Sequence, residues 1–140
     1  MYHEVMRKWV AALRSGEYTQ IDGRLRSVEP NADGMYSYCV LGVLCDLHRK
    51  EHNPDGSDYH YQWEEKVKEF GTTTTAYANH YDNLPASVRE WAGIRHSEPD
   101  VAADPEGDGT CPMSLTALND DYCFEFPALA ELIEAQWMRL

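Results

Sequence analysis

The stretch YCVLGVLCDLHRK, residues 38–50, restricts the fold more than any other part of the sequence. Its apolar residues recur at helical spacing and cover most sides of the predicted helix, so we expect this helix at the centre of the core. Gly42 lies in its middle, where glycine costs about 1 kcal/mol of helix stability relative to alanine. We therefore expect another element to pack closely against the backbone at Gly42, and we predict that this element is the N-terminal helix.

The whole sequence of 140 residues predicts one α+β domain, with about four helices packed on a short antiparallel hairpin or sheet. Beside the central helix, residue spacing predicts helices over 2–15, 63–70, 85–93 and 127–138. Asp22-Gly23 between the runs 18–21 and 24–28 predicts the hairpin, and residues 35–38 and 72–78 predict further strands. Segments 51–61 and 95–112 are rich in turn residues and are expected to be mobile loops, and Asn119 with Asp120 predicts a turn before the last helix.

The net charge of −12, from 24 acidic and 12 basic residues, restricts the partners. Nucleic-acid phosphates and anionic membrane surfaces both need a basic face, so we expect neither as a partner. The acidic residues are scattered rather than arranged in a stripe, which makes imitation of nucleic-acid charge the minor hypothesis. No export signal is recognisable, so the four cysteines are expected to be reduced thiols in a cytosol.

Five blocks of the sequence carry a resemblance to a known family. They read W-x-x-A-L-R-S-G-x-Y-x-Q (9–20), G-x-L (23–25), Y-C-x-L-G-V-L-C (38–45), L-P-x-x-V-R-E-W-A-G (84–93) and L-N-D…F…L-A-x-L-I-E (118–134). Together they resemble a family of small proteins, of no assigned activity, that bacteriophages and some bacterial genomes encode. The resemblance implies a phage or prophage origin and an intracellular life in a bacterial host. It implies no catalytic residues.

Cys39 is the candidate nucleophile. A cysteine at the first turn of a helix has its thiolate stabilised by free N–H groups and by the helix dipole. His80 or His96 would then act as the distant base of a hydrolase or transferase. The alternative is that Cys39 is a small buried hydrophobic residue, as free cysteines usually are, and we favour this alternative.

A second constellation has the spacing of metal ligands. Cys45, His48 and His52 stand at i, i+3 and i+7, so they share one face of a continuous helix and would suit zinc with one further ligand. Pro54 ends the helix at about this point, and no C-x-x-C motif supplies the remaining ligand. We therefore favour a core cysteine with histidines near a helix C-terminus, and expect no metal.

Aromatic side chains in polar segments indicate a recognition site, since Tyr and Trp offer rigid contact area with a polar end. The candidates for binding a ligand or partner are Tyr18, Gln20, Arg24, Tyr59, Tyr61, Trp63, Tyr77 and Tyr81. The aromatic rings would stack on a base and the arginine would bind phosphate. The alternative is that these aromatics cover a small core under long loops.

These observations favour a non-enzymatic binding protein of phage origin that acts in the host cytoplasm without a cofactor. Its target would be a host protein, such as a defence protein, or a small nucleotide-like ligand. The acidic excess favours a protein partner with a basic surface. A cysteine-dependent hydrolase or transferase that uses Cys39 is the alternative function.

Overall fold

The computed structural model describes residues 1–140 and shows a single small α+β domain, as the sequence predicts. Its helices are α1 (His3–Arg14), α2 (Val40–His52), α3 (Ala86–Ala92), α4 (Leu115–Asp120) and α5 (Phe126–Gln136). Its strands are β1 (Thr19–Gln20), β2 (Ser37–Tyr38), β3 (Trp63–Val67), β4 (Thr73–Tyr77), β5 (Asp100–Ala103) and β6 (Cys111–Ser114). The strands form three two-stranded sheets, with β1 parallel to β2, β3 antiparallel to β4, and β5 antiparallel to β6.

Helix α2 lies at the centre of the core, as predicted. Its first turns are buried on all sides. Helices α1 and α5 pack against each other, and α1 also packs against α2, where the indole Nε1 of Trp9 donates a hydrogen bond to the Val40 carbonyl (3.0 Å). The ion pair between Arg14 and Glu134 (2.7 Å) joins α1 to α5 at the surface. None of the helices is long and apolar enough to cross a membrane.

The close neighbour of Gly42 is the backbone at Leu25 and not helix α1, so that prediction is wrong. A Cβ atom on residue 42 would lie 1.8 Å from the Leu25 carbonyl oxygen and 2.7 Å from its carbonyl carbon. The Leu25 side chain is fully buried. Because this side chain must enter the core beside α2, its backbone is brought against the helix, and only glycine leaves room for it.

The predicted hairpin over residues 18–28 does not form. Strand β1 pairs with β2 instead, and the N–H of Ile21 donates to the carbonyl of Tyr38 (3.0 Å). The second run is held elsewhere, because the N–H of Leu25 donates to the carbonyl of Tyr81 (2.8 Å). Burial of Leu25 therefore outweighs the local turn preference of Asp22-Gly23.

Three further predictions about secondary structure are wrong. Residues 63–70 form β3 and the start of a 3-10 turn rather than a helix, because the β-branched strand β4 pairs with them. The predicted loop 95–112 contains β5 and the start of β6. The predicted turn at residues 119–120 belongs to α4, which is capped by Ser114, whose Oγ accepts a hydrogen bond from the N–H of Ala117 (3.1 Å).

The other predicted elements are present within a few residues of the expected bounds. Helices α1, α3 and α5 and strands β2 and β4 lie inside the predicted segments or extend one residue beyond them. Gly93 ends α3 in the left-handed conformation at φ 68°. The segment 51–61 begins with the last turn of α2 and ends with a 3-10 turn at Tyr59–Tyr61, so its irregular part is shorter than predicted.

Candidate functional site

A pocket of about 460 Å³ lies between the polar face of α2 and the segments that flank β1 and β2. We call it the tyrosine pocket. It is lined by three tyrosines, three charged residues of α2 and three residues of the flanking segments: Tyr18, Tyr36, Tyr38, Asp46, Arg49, Lys50, Glu17, Gly34 and Met35. Its volume falls within the range of small-molecule sites.

The carboxylate of Asp46 contacts four side chains in or beside the tyrosine pocket. One carboxylate oxygen accepts hydrogen bonds from Arg49 Nε (2.9 Å) and from Trp63 Nε1 (3.2 Å). The other accepts a hydrogen bond from the Tyr18 hydroxyl (2.9 Å) and lies 3.3 Å from Lys50 Nζ. The residue spacing on α2 explains the grouping, since residues at i, i+3 and i+4 share one helix face.

The charge states in this pocket follow from burial and from these contacts. Burial of Asp46 opposes its ionisation, but the charge and hydrogen bond of Arg49, with Tyr18 and Lys50, outweigh burial and keep the pKa of Asp46 below its ordinary value. Burial, together with the charge of Asp46, raises the pKa of Tyr18 and raises that of Tyr38 to about 12. The pocket therefore presents neutral phenols beside a carboxylate that is already paired.

The tyrosine rings expose faces and edges in different directions. The Tyr18 and Tyr38 rings meet edge to face, with centroids 5.2 Å apart at 78°. The Tyr36 ring is covered on one side by the Arg26 guanidinium, 3.7 Å from its centroid. Such an arrangement suits a flat ring, which can stack on one tyrosine while it meets the edge of another.

The pocket also offers free hydrogen-bond donors. Arg49 uses only its Nε within the protein, which leaves its two terminal nitrogens available. Lys50 Nζ donates to the Tyr18 hydroxyl (2.8 Å), and about half of its side chain is exposed. Arg49 and Lys50 bring two positive charges to a pocket that also contains the carboxylates of Asp46 and Glu17, and the unused nitrogens of Arg49 can donate to an anionic group.

A family model described as a domain of unknown function, DUF8296, matches residues 1–137. The chain belongs to this family. Neither a search of the curated proteins nor a search of the solved structures finds a significant match. The family description names no ligand or reaction, so the function of this DUF8296 domain has to be inferred from its geometry.

The predicted binding residues of the DUF8296 domain are divided between several places. Tyr18 lines the tyrosine pocket, and Trp63 supports it through its hydrogen bond to Asp46. Tyr59 and Tyr61 instead line a second hollow of about 500 Å³, together with Glu64 and Lys66 of β3. The structure therefore does not form one site from the predicted set.

The other four predicted binding residues line neither hollow, and three of them make contacts within the fold. The Gln20 amide nitrogen donates to the Phe124 carbonyl (2.8 Å), so this side chain joins β1 to the segment before α5. Tyr77 is fully buried, and its hydroxyl lies 2.8 Å from Nδ1 of His48. Tyr81 packs under the Lys68 ammonium group (4.7 Å), and Arg24 is exposed and lines neither hollow.

Cys39 stands at the N-cap of α2, where its Sγ accepts a hydrogen bond from the N–H of Gly42 (3.4 Å). Its side chain is buried, and burial raises the pKa of the Cys39 thiol to about 12 despite the nearby backbone N–H groups. Neither predicted base is bonded to it: His80 pairs with Asn83, and His96 is exposed. The geometry gives Cys39 a capping role and supplies no base to activate it.

The three predicted metal ligands are also held by other contacts. Cys45 is fully buried, and burial raises the pKa of its thiol. His48 bonds to Tyr77, and its ring stacks on that of His52 at 4.3 Å between centroids. No group of three His, Cys, Asp or Glu side chains in the domain has an arrangement that could hold a metal ion.

The sequence prediction missed Tyr36, Asp46, Arg49 and Lys50 of the tyrosine pocket. A signal for three of them was present, because an acidic residue followed at i+3 and i+4 by basic residues is unusual on a helix as apolar as α2. Tyr36 carried no such signal, since its place in the pocket depends on the parallel pairing of β1 with β2.

Proposed function

We propose that this DUF8296 protein is a non-enzymatic binding protein whose tyrosine pocket takes up a small nucleotide-like ligand. The observation that carries the proposal is the combination of three tyrosine rings with the free donors of Arg49 and Lys50 in one pocket. A base would stack on the rings, and a phosphate would lie against the two cations. In a chain with a net charge of −12, the lining of this pocket is close to neutral, with two acidic and two basic residues.

A phage or prophage origin and action in the cytoplasm of a bacterial host are part of the proposal. They rest on the five sequence blocks that resemble the phage-encoded family. A binding protein of this kind would act by removing its ligand from circulation in the host. Such a role requires affinity and abundance, and it requires no catalytic residue.

Native mass spectrometry of the protein purified from bacterial lysate tests the proposal directly. We expect a retained mass of a few hundred daltons that disappears on denaturation. Titration with a panel of nucleoside monophosphates and triphosphates, followed by isothermal calorimetry, would then identify the preferred class. If the protein carries no adduct and binds no member of the panel, the proposal is contradicted.

Variants connect the binding to the tyrosine pocket. Lys50→Ala removes one charged donor and should weaken binding about tenfold. Tyr36→Leu removes a stacking face and should weaken it about fivefold. Tyr59→Leu is the matched control, because Tyr59 is exposed and lines the other hollow. Equal effects of Tyr36→Leu and Tyr59→Leu would place the ligand outside the tyrosine pocket.

The net charge favours a second candidate, in which the protein inhibits a host protein, such as a defence protein, by covering a basic surface. Charge complementarity of this kind makes association strongly dependent on salt. Pull-down from host lysate should then recover a basic protein at about 50 mM salt and lose it at about 500 mM. Recovery that does not change with salt would contradict this second candidate.

A further inference from the structure

Strand β3 has a free edge. Its pairing with β4 is antiparallel, with Glu64 opposite Ala76 and Lys66 opposite Thr74. The N–H of Lys68 donates to the Thr72 carbonyl (2.8 Å), which places Lys68 among the residues that bond across the hairpin. Since bonding residues alternate along a strand, Lys66 and Glu64 also bond to β4.

The alternate residues of β3 turn their backbone groups away from β4. These residues are Trp63, Glu65 and Val67, and their N–H and C=O groups have no hydrogen-bond partner elsewhere in the protein. Val67 is 73% exposed, and Phe70 at the tip of the hairpin is fully exposed. An exposed strand edge with apolar side chains beside it is a template for pairing with another strand.

The sequence of β3 complements itself. When two copies of WEEKV run antiparallel with Glu65 opposite Glu65, Glu64 of each copy faces Lys66 of the other, and Trp63 faces Val67. This register brings the outward backbone groups of both strands together, as a hydrogen-bonded ladder requires. A shift of one strand by two residues in either direction also brings these backbone groups together. It places Glu64 opposite Glu64 or Lys66 opposite Lys66, so like charges would meet.

We propose that β3 pairs with β3 of a second copy of this chain, in the register centred on Glu65, and that two hairpins thereby form one four-stranded antiparallel sheet. Within each copy Glu64 and Lys66 already form an ion pair (3.1 Å), and the contact joins two such pairs into a group of four alternating charges, beside two Trp63–Val67 pairs. The two Glu65 carboxylates meet at the two-fold axis and weaken it. In each copy the Arg26 guanidinium lies 5.1 Å from the centroid of the Trp63 ring, on the strand face that Trp63 shares with Glu65, and its positive charge offsets part of that repulsion.

A contact made by five residues from each copy is small, so the dimer should be weak, with a dissociation constant on the order of 100 µM. Sedimentation velocity between about 10 µM and about 1 mM should show the sedimentation coefficient rise from that of a monomer to that of a dimer. A protein that remains a monomer over this range would overturn the proposal.

Single charge reversals provide the sharpest test. Glu64→Lys and Lys66→Glu each place like charges opposite one another, and each should raise the dissociation constant at least about tenfold. Mixed in equal amounts, the two variants should restore dimers, because the lysine introduced at position 64 of one copy then faces the glutamate introduced at position 66 of the other. Arg24→Glu changes the net charge by the same amount as Lys66→Glu and is its matched control, since Arg24 is exposed and remote in sequence from β3, and it should dimerise like the wild type.

A backbone variant tests the same edge without changing the charge pattern at residues 64 and 66. Glu65→Pro removes an N–H that is free in the hairpin, so the pairing of β3 with β4 should survive while the dimer is lost. Glu65→Gln removes the central repulsion and should tighten the dimer several-fold. If the two charge-reversed variants fail to associate when mixed, or if Glu65→Pro still dimerises, the register proposed here is wrong.

Discussion

Replacement of Gly42 by alanine should destabilise the protein, although alanine is the better helix former. The substitution gains about 1 kcal/mol from helix propensity. It also places a Cβ 1.8 Å from the Leu25 carbonyl oxygen, whereas Cβ atoms in proteins essentially never approach another heavy atom within 3.0 Å. The backbone at Leu25 must therefore move by more than 1 Å, because 3.0 Å minus 1.8 Å is 1.2 Å.

That backbone has little freedom to move. The Leu25 carbonyl accepts a hydrogen bond from the N–H of Cys39 (3.2 Å), and the Leu25 N–H donates to the Tyr81 carbonyl (2.8 Å). Overpacking of a rigid core costs about 1–3 kcal/mol, and a weakened hydrogen bond adds about 1 kcal/mol. After the gain in propensity is subtracted, we expect Gly42→Ala to lower the free energy of unfolding by about 2 kcal/mol.

Urea denaturation followed by circular dichroism measures this change, and the melting temperature should fall by roughly 6 °C. Ala11→Gly, on the exposed face of α1, is the control for propensity alone and should lower the free energy of unfolding by about 1 kcal/mol. If propensity were all that mattered at residue 42, Gly42→Ala would stabilise the protein by the same amount. A variant at least as stable as the wild type would refute the account of Leu25.

Three further predictions concern stability. Burial lowers the pKa of His48 from 6.5 to about 4. The unfolded chain therefore takes up the proton at a higher pH than the folded protein does. The free energy of unfolding should fall by up to about 2 kcal/mol as pH falls from 6.5 towards 4. His48→Gln should flatten that slope in urea titrations at several pH values, and an unchanged slope would assign it to other groups. Asp46→Asn should lower the free energy of unfolding by about 2 kcal/mol, since Arg49 and Lys50 lose their partner, and a neutral result in the same assay would contradict this. Ser114→Ala should cost about 1 kcal/mol by removing the cap of α4, and a cost near zero would mean that the cap contributes nothing.

Elements whose local signals agree with their tertiary role could be predicted from the sequence. Helix α2 is one example, because its apolar periodicity predicts a buried helix and the structure buries it in the core. Strand β4 is another, because its threonines favour a strand, and Thr74 and Thr75 are buried as a strand interior requires. Tyr18 and Trp63 were found for a related reason, since aromatic residues among polar ones indicate a surface that binds or packs.

The failures come from pairings between segments that are distant or poorly marked in the sequence. The charged run 63–70 has no strong preference of its own, and its pairing with β4 decides its structure. The strands β5 and β6 have only four residues each, and the Asp, Pro and Gly residues of the turn between them make the whole segment look like a loop in the sequence. Arg49 and Lys50 were missed as site residues because only the fold shows that Tyr36 and Tyr38 face them.

The packing of α1 against α5 has a consequence for synthesis on the ribosome. Helix α1 emerges well before α5, yet much of the surface that covers its apolar side belongs to α5. The ring of His3 lies only 5.2 Å from that of Trp137, so this contact closes almost the whole chain into one loop. During translation α1 is therefore an amphipathic helix without its final partner, and the nascent chain exposes Val5, Trp9 and Leu13 to chaperones until α5 has left the exit tunnel.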